Sequence, residues 1–134
     1  MPRKHPGHHA NRIAYDLYVK FLDRSPDPGG HKYILQSLQE GRKSVRQHVI
    51  EIVGSEEFRR KFVRNRSKQN AVQHLHKVML GRTISDPYRL ARQAADLAIM
   101  DLVPYAERLT SSADYRQMYG EDQVPGPVQP TRLD

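Results

Sequence analysis

The chain has no cysteine among its 134 residues. That excludes disulfide staples, thiolate nucleophiles and cysteine-ligated metal centres together, and it fits a reducing, cytoplasmic compartment. Tryptophan is absent as well, phenylalanine occurs three times, and hydrophobic residues make up 37% of the total. The core of what is expected to be one domain must therefore be modest. No apolar run approaches the ~20 residues of a membrane-spanning helix, so no membrane insertion is expected, and the basic N-terminal stretch lacks an apolar signal core. The period-two alternation of strands is missing too.

Catalytic motifs are equally scarce. There is no His-Glu-x-x-His run, and Gly29-Gly30 stands without the neighbours a phosphate loop needs. Ser25, Ser44, Ser55, Ser67, Ser85 and Ser112 all fall where caps or turns are expected. Glu56-Glu57 sits at a helix start, where the helix dipole accounts for the charge. His5, His8 and His9 lie close together on a mobile arm, which would lose ordering entropy in closing round an ion. His74 and His76, two apart, face different directions of one helix, while His31 and His48 read as surface or boundary residues. No enzyme activity, cofactor or metal is expected.

What the chain does contain is a repetition. Ser55-Glu56-Glu57-Phe58-Arg59-Arg60-Lys61-Phe62 has the form of Ser112-Ala113-Asp114-Tyr115-Arg116-Gln117-Met118-Tyr119. Each reads as a helix start, with a serine cap, an acid in the first turn, and two aromatics four apart on one buried face. Upstream, Ile13, Leu17 and Phe21 line a first helix from about Asn11, ending at Leu22-Asp23-Arg24; Ala71, Val72, Leu75, Val78 and Met79 line a counterpart ending at Leu80-Gly81-Arg82. A helix over about 30–40 carries Ile34, Leu35 and Leu38, and its counterpart carries Leu90, Ala91, Ala94, Leu97 and Ala98. Ser44 then caps Val45, Val49 and Ile52, as Asp101 caps Leu102, Ala106 and Leu109. The two copies are offset by 58 residues before the intervening loop and 57 after it, as if one residue were lost there. The expected fold is all-α, one domain of about eight helices built from two tandem four-helix units. A basic, His-rich arm at 1–10 precedes the helical domain at 11–120, and an extended, Pro-rich tail at 121–134 follows it.

Charge is unevenly distributed. Residues 1–82 carry 17 Lys/Arg and 7 Asp/Glu, whereas 83–134 carry 5 and 8. Arg59, Arg60, Lys61, Arg64, Arg66 and Lys68 form an acid-free cluster, and Arg42, Lys43 and Arg46 lie upstream of it. Together they make a candidate surface for an anionic partner, either an acidic protein or, as a second reading, nucleic acid.

Leu80-Gly81-Arg82 after an amphipathic helix, Ser111-Ser112-Ala113-Asp114-Tyr115, and Tyr119-Gly120-Glu121-Asp122-Gln123-Val124-Pro125 resemble motifs of the phycobilisome linker domain. Ser44-Val45-Arg46-Gln47-His48-Val49 through Arg59 is similar to it as well, and the resemblance covers about 14–128. Arg24-Ser25-Pro26-Asp27-Pro28-Gly29-Gly30 instead resembles a related bacterial repeat. The resemblance implies an all-helical structural linker docking on acidic phycobiliproteins of the phycocyanin or allophycocyanin kind, in a phycobilisome at the cytoplasmic face of the thylakoid. The alternative is a stand-alone bacterial adaptor or nucleic-acid-binding domain using the same patch.

Overall fold

The computed structural model describes residues 2–126. Among them are eight helices and no strand: α1 (Gly7–Leu22), α2 (Pro28–Glu40), α3 (Val45–Val53), α4 (Glu56–Phe62), α5 (Lys68–Leu80), α6 (Pro87–Met100), α7 (Leu102–Thr110) and α8 (Ala113–Met118). The all-α expectation holds. α1 packs on α2 and α5 on α6, α4 lies on α1 and α8 on α5, and α3 crosses to α7 to join the halves. Arg46 near the start of α3 lies at Thr110, and Gly54 after its end lies at Val103, so α3 and α7 run antiparallel.

Local chemistry sets these boundaries. α1 buries Ala10, Ala14, Leu17 and Phe21 on one stripe and ends at Asp23 in the left-handed region (φ 56°). Asp27 caps α2 by accepting from Gly30 N–H at 3.1 Å, with Pro28 in the first turn. Gly30 has a second task, because a Cβ there would lie 1.9 Å from Tyr18 Oη; glycine lets α1 and α2 approach. Ser44 and Gln47 close a reciprocal capping box on α3.

The repeated octets have matching geometry. Ser55 Oγ accepts from Phe58 N–H and Ser112 Oγ from Tyr115 N–H, each at 3.2 Å. The same hydroxyls donate to Ile52 O at 2.6 Å and Leu109 O at 2.7 Å. Phe58–Phe62 and Tyr115–Tyr119 ring centroids lie 5.1 and 5.2 Å apart. Phe58 and Tyr115 are fully buried, whereas Phe62 and Tyr119 are only partly so. In both halves the arginine after the first helix reaches the acid that opens the fourth: Arg24 to Glu57 at 2.8 Å, and Arg82 to Asp114.

Where the halves diverge, the backbone explains why. The loop from Arg24 to Asp27 gains one residue in its counterpart, Arg82 to Asp86, and the stretch from Ser44's helix cap back to Asp27 loses two in the counterpart from Asp86 to Asp101. The single loss expected from the offset is thus a gain and a larger loss. In the first half Gly41 (φ 68°) ends α2 and Ser44 (φ −76°, ψ 166°) starts α3. In the second half Asp101 does both: it ends α6 and caps α7 with φ 69° and ψ 170°. That combination belongs essentially to glycine, so fusing the two caps leaves a strained aspartate.

Several expectations need correction. α1 starts at Gly7 rather than Asn11, and the stretch before it is docked: His5 N–H donates to Leu38 O at 2.9 Å and His5 is 6% exposed. Residues 121–126 of the expected extended tail instead form turns against the first half. Arg46 N–H donates to Glu121 O at 3.0 Å, and Pro125 and Gly126 are buried. The rest of that tail lies outside the described residues. Ala91 and Ala98 face solvent, leaving Ala94 and Leu97 as the buried residues of α6. His48, read as a surface or boundary residue, is 1% exposed.

Candidate functional site

The nine cations expected to form one surface do not come together. Arg42, Lys43 and Arg46 sit at the start of α3, and the cluster from Arg59 onward sits beyond its other end, a helix of nine residues or about 13 Å away. Most are also neutralised by the chain's own acids. Arg42 pairs with Glu40, Lys43 with Glu51, Arg59 with Asp101 at 3.3 Å, Lys61 with Glu57 at 2.7 Å, and Arg64 with Glu56. Arg46 reaches Glu121 at 3.6 Å, Ser111 Oγ at 2.8 Å and Thr110 O at 3.3 Å, so it ties the halves together. Lys61 also donates to Leu22 O at 2.8 Å, fixing α4 to the end of α1. Of the nine, Arg60, Arg66 and Lys68 have no ion-pair partner among the described residues.

Two of those three cations share a cleft. After α4 the chain turns through Val63–Ser67 into α5, and this turn faces the end of α6 and the start of α7. The cleft is about 290 Å³, and Arg59, Arg64, Arg66 and Lys68 line it. Val63, Leu97 and Leu102 add apolar side chains to a lining that is otherwise charged. Asp101 is the one carboxylate in the wall; the hydrogen bond from Leu102 N–H, helped by Arg59, holds it below the usual aspartate range. Two helices begin here, α5 after Ser67 and α7 after Asp101, adding the positive ends of their dipoles. Arg66 additionally lies 5.6 Å over the Phe62 ring, and Phe62 stacks on His74 at 4.4 Å. The cleft thus combines four cations, one carboxylate and three apolar side chains.

Sequence reasoning missed two buried polar clusters and one half-buried ion pair. His48 Nε2 lies 2.8 Å from Ser37 Oγ, and its Nδ1 lies 3.3 Å from Glu51. That is the order of a hydrolytic relay, but Ser37 is 1% exposed, so no substrate reaches it, and burial pushes the His48 pKa down. A neutral imidazole satisfying a buried hydroxyl is its structural role. Tyr105, fully buried, donates to Gln93 Oε1 at 2.7 Å and lies 3.1 Å from His76 Nε2. Arg24 holds Glu57 bidentately, and those hydrogen bonds lower the Glu57 pKa to about 2. The Arg24 pairing was visible in outline, since Arg82 and Asp114 repeat it; the two histidine clusters left no pattern in the sequence beyond polar residues on apolar stripes.

Comparison with known proteins places the chain. The family description "Phycobilisome Linker polypeptide" matches residues 10–127. Over 121 residues the chain is 29% identical to the phycobiliprotein ApcE of Nostoc sp. strain PCC 7120, a stretch that covers 90% of this chain and 11% of that relative. The chain therefore spans a small part of the relative's length, and the likeness concerns one segment of it. The match over residues 10–127, nearly all of the described residues, shows that the chain belongs to the phycobilisome linker polypeptide family.

Proposed function

We propose that this chain is a structural linker that docks onto acidic phycobiliproteins of the phycocyanin or allophycocyanin kind within a light-harvesting antenna, on the cytoplasmic side of the photosynthetic membrane. The linker family is structural and not enzymatic. The family match carries the reading, and the charge supports it: a formal +7 chain in which Arg66 and Lys68, two cations outside any internal ion pair among the described residues, line one cleft suits an anionic protein surface. No described helix is long and apolar enough to cross a membrane.

The test is co-elution of the purified chain with phycocyanin or allophycocyanin in size-exclusion chromatography. Raising ionic strength from about 0.01 M to about 1 M shortens the Debye length from about 30 Å to about 3 Å, so a charge-steered complex formed at the low end should dissociate at the high end. Failure to co-elute at low salt defeats the docking reading. Salt-sensitive capture of random duplex DNA in its place would favour the nucleic-acid alternative.

A further inference from the structure

We propose that the cleft between α4, α6 and α7 receives a short acidic segment of a partner protein, with a carboxylate side chain on Arg66 and Lys68 and a neighbouring aliphatic side chain on Val63, Leu97 and Leu102. This inference rests on the docking reading and narrows it from nine cations to one cleft. Four observations carry it. Arg66 and Lys68 are without acidic partners among the described residues, and they face the same cleft as the paired Arg59 and Arg64. Val63, Leu97 and Leu102 are part of the lining, so an occupant of charge alone would leave apolar side chains without a partner. Two helix N-termini open onto it, each more than two turns long. Asp101 is already held there by Arg59 and a backbone N–H, so Arg59 is committed and Arg66 and Lys68 are the cleft cations left for an incoming carboxylate.

Size and charge pattern select among occupants. At about 290 Å³ the cleft lies at the bottom of the ~300–1,000 Å³ range of small-molecule pockets, so it suits one or two side chains. A nucleic-acid backbone is neutralised by several cations along its track. Here Asp101 and Glu56 interrupt the cations and would repel successive phosphates.

The experiment has two arms. Fluorescence anisotropy follows a fluorescein-labelled Asp-Leu-Glu-Leu-Asp peptide binding to the chain, to Arg66→Glu/Lys68→Glu, and to the control Arg89→Glu/Arg92→Glu on the other part of α6. The cleft variant should lose at least about tenfold in affinity, equivalent to about 1.4 kcal/mol, and the control should stay within about twofold. Both variants change exposed side chains, and superimposable circular dichroism melts establish that they fold. Equal binding by all three proteins, or no peptide binding at all, overturns the inference. Displacement of the peptide by duplex DNA from an otherwise equal site also overturns it. The second arm repeats the series with allophycocyanin. If the peptide binds as expected and allophycocyanin does not, the cleft stands and the antenna reading falls. If allophycocyanin binds all three proteins equally, docking stands and the cleft falls.

Discussion

Removing the Tyr115 hydroxyl should stabilise the protein. Tyr115 is fully buried, and its Oη has no hydrogen-bond partner among the described protein atoms. Burial accordingly pushes its pKa well above the ordinary phenol value. A buried hydroxyl without a partner costs about 1–3 kcal/mol, and the matching position in the first half is Phe58, which fills the same cap-and-aromatic geometry without one. Tyr115→Phe keeps the ring, its 5.2 Å contact with Tyr119 and the apolar burial, so the expected change is a gain of about 1 kcal/mol, or a rise in Tm of roughly 4 °C for a domain of this size. Urea unfolding at constant m would read it as a shift in midpoint alone. Tyr105→Phe is the control: Tyr105 Oη donates to Gln93 at 2.7 Å and contacts His76, so its loss should cost about 1–3 kcal/mol, chiefly by stranding buried His76, since Gln93 still accepts from Arg108. The reasoning fails if Tyr115→Phe is destabilising, or if the two variants move in the same direction.

Three further outcomes follow from the same structure. Asp101→Gly should stabilise by about 1 kcal/mol in thermal melts, since relief of ~1–3 kcal/mol of backbone strain exceeds the few tenths that a glycine cap loses and the small value of the exposed Arg59 pair; a loss of stability would show that the fused cap is not strained. Burial holds both His74 and His76 at pKa values of about 4, below the ordinary 6.5, so the unfolded chain binds more protons between those values. Stability should therefore be full above about pH 6.5 and fall as pH drops toward 4, and His76→Gln should flatten that slope in pH-dependent denaturation. Arg24→Gln should raise the Glu57 pKa from about 2 toward 4.5, measurable by carboxylate NMR titration; an unmoved Glu57 would mean that Lys61 alone holds it.

The fold was legible because its signals are local. Serine caps, glycine stops and apolar rows at Leu17/Phe21 and Leu75/Met79 each act within a few residues, and the repeated octets gave the helix order twice. The two ends were misread for one physical reason. Composition at 1–10 and 121–126 favours disorder, yet His5 finds Leu38 O, and Glu121 finds Arg46 N–H and Ser44 Oγ, contacts across the tertiary structure that no local pattern carries. His48 was misplaced in the same way: its partner Ser37 is on a different helix, and a histidine at a helical position is buried or exposed according to what it meets there. The basic surface was legible in sign and illegible in arrangement. A run of cations in sequence does not specify which carboxylates fold back onto it.

That folding back narrows the docking problem. Six of the nine cations have an acid of the same chain within ion-pair reach. Their commitment nevertheless differs. Lys61 shares Glu57 with Arg24 and also holds the end of α1, and Arg46 spans the two halves, so turning either toward a partner would break internal structure. The Arg42–Glu40 and Arg64–Glu56 pairs are largely exposed on both sides, and such pairs contribute about 0–1 kcal/mol. An incoming carboxylate can exchange for Glu56 at little cost, but it cannot exchange for Glu57. Arg64 is therefore a third recruit beside Arg66 and Lys68, whereas Lys61 and Arg46 belong to the scaffold despite standing in the same basic sequence. Charge reversal should sort them accordingly: Arg64→Glu should weaken acidic-peptide binding with an unchanged melt, and Lys61→Glu should lower the melting temperature first. If Lys61→Glu melts as the parent does while binding is lost, the division between scaffold and docking cations is wrong.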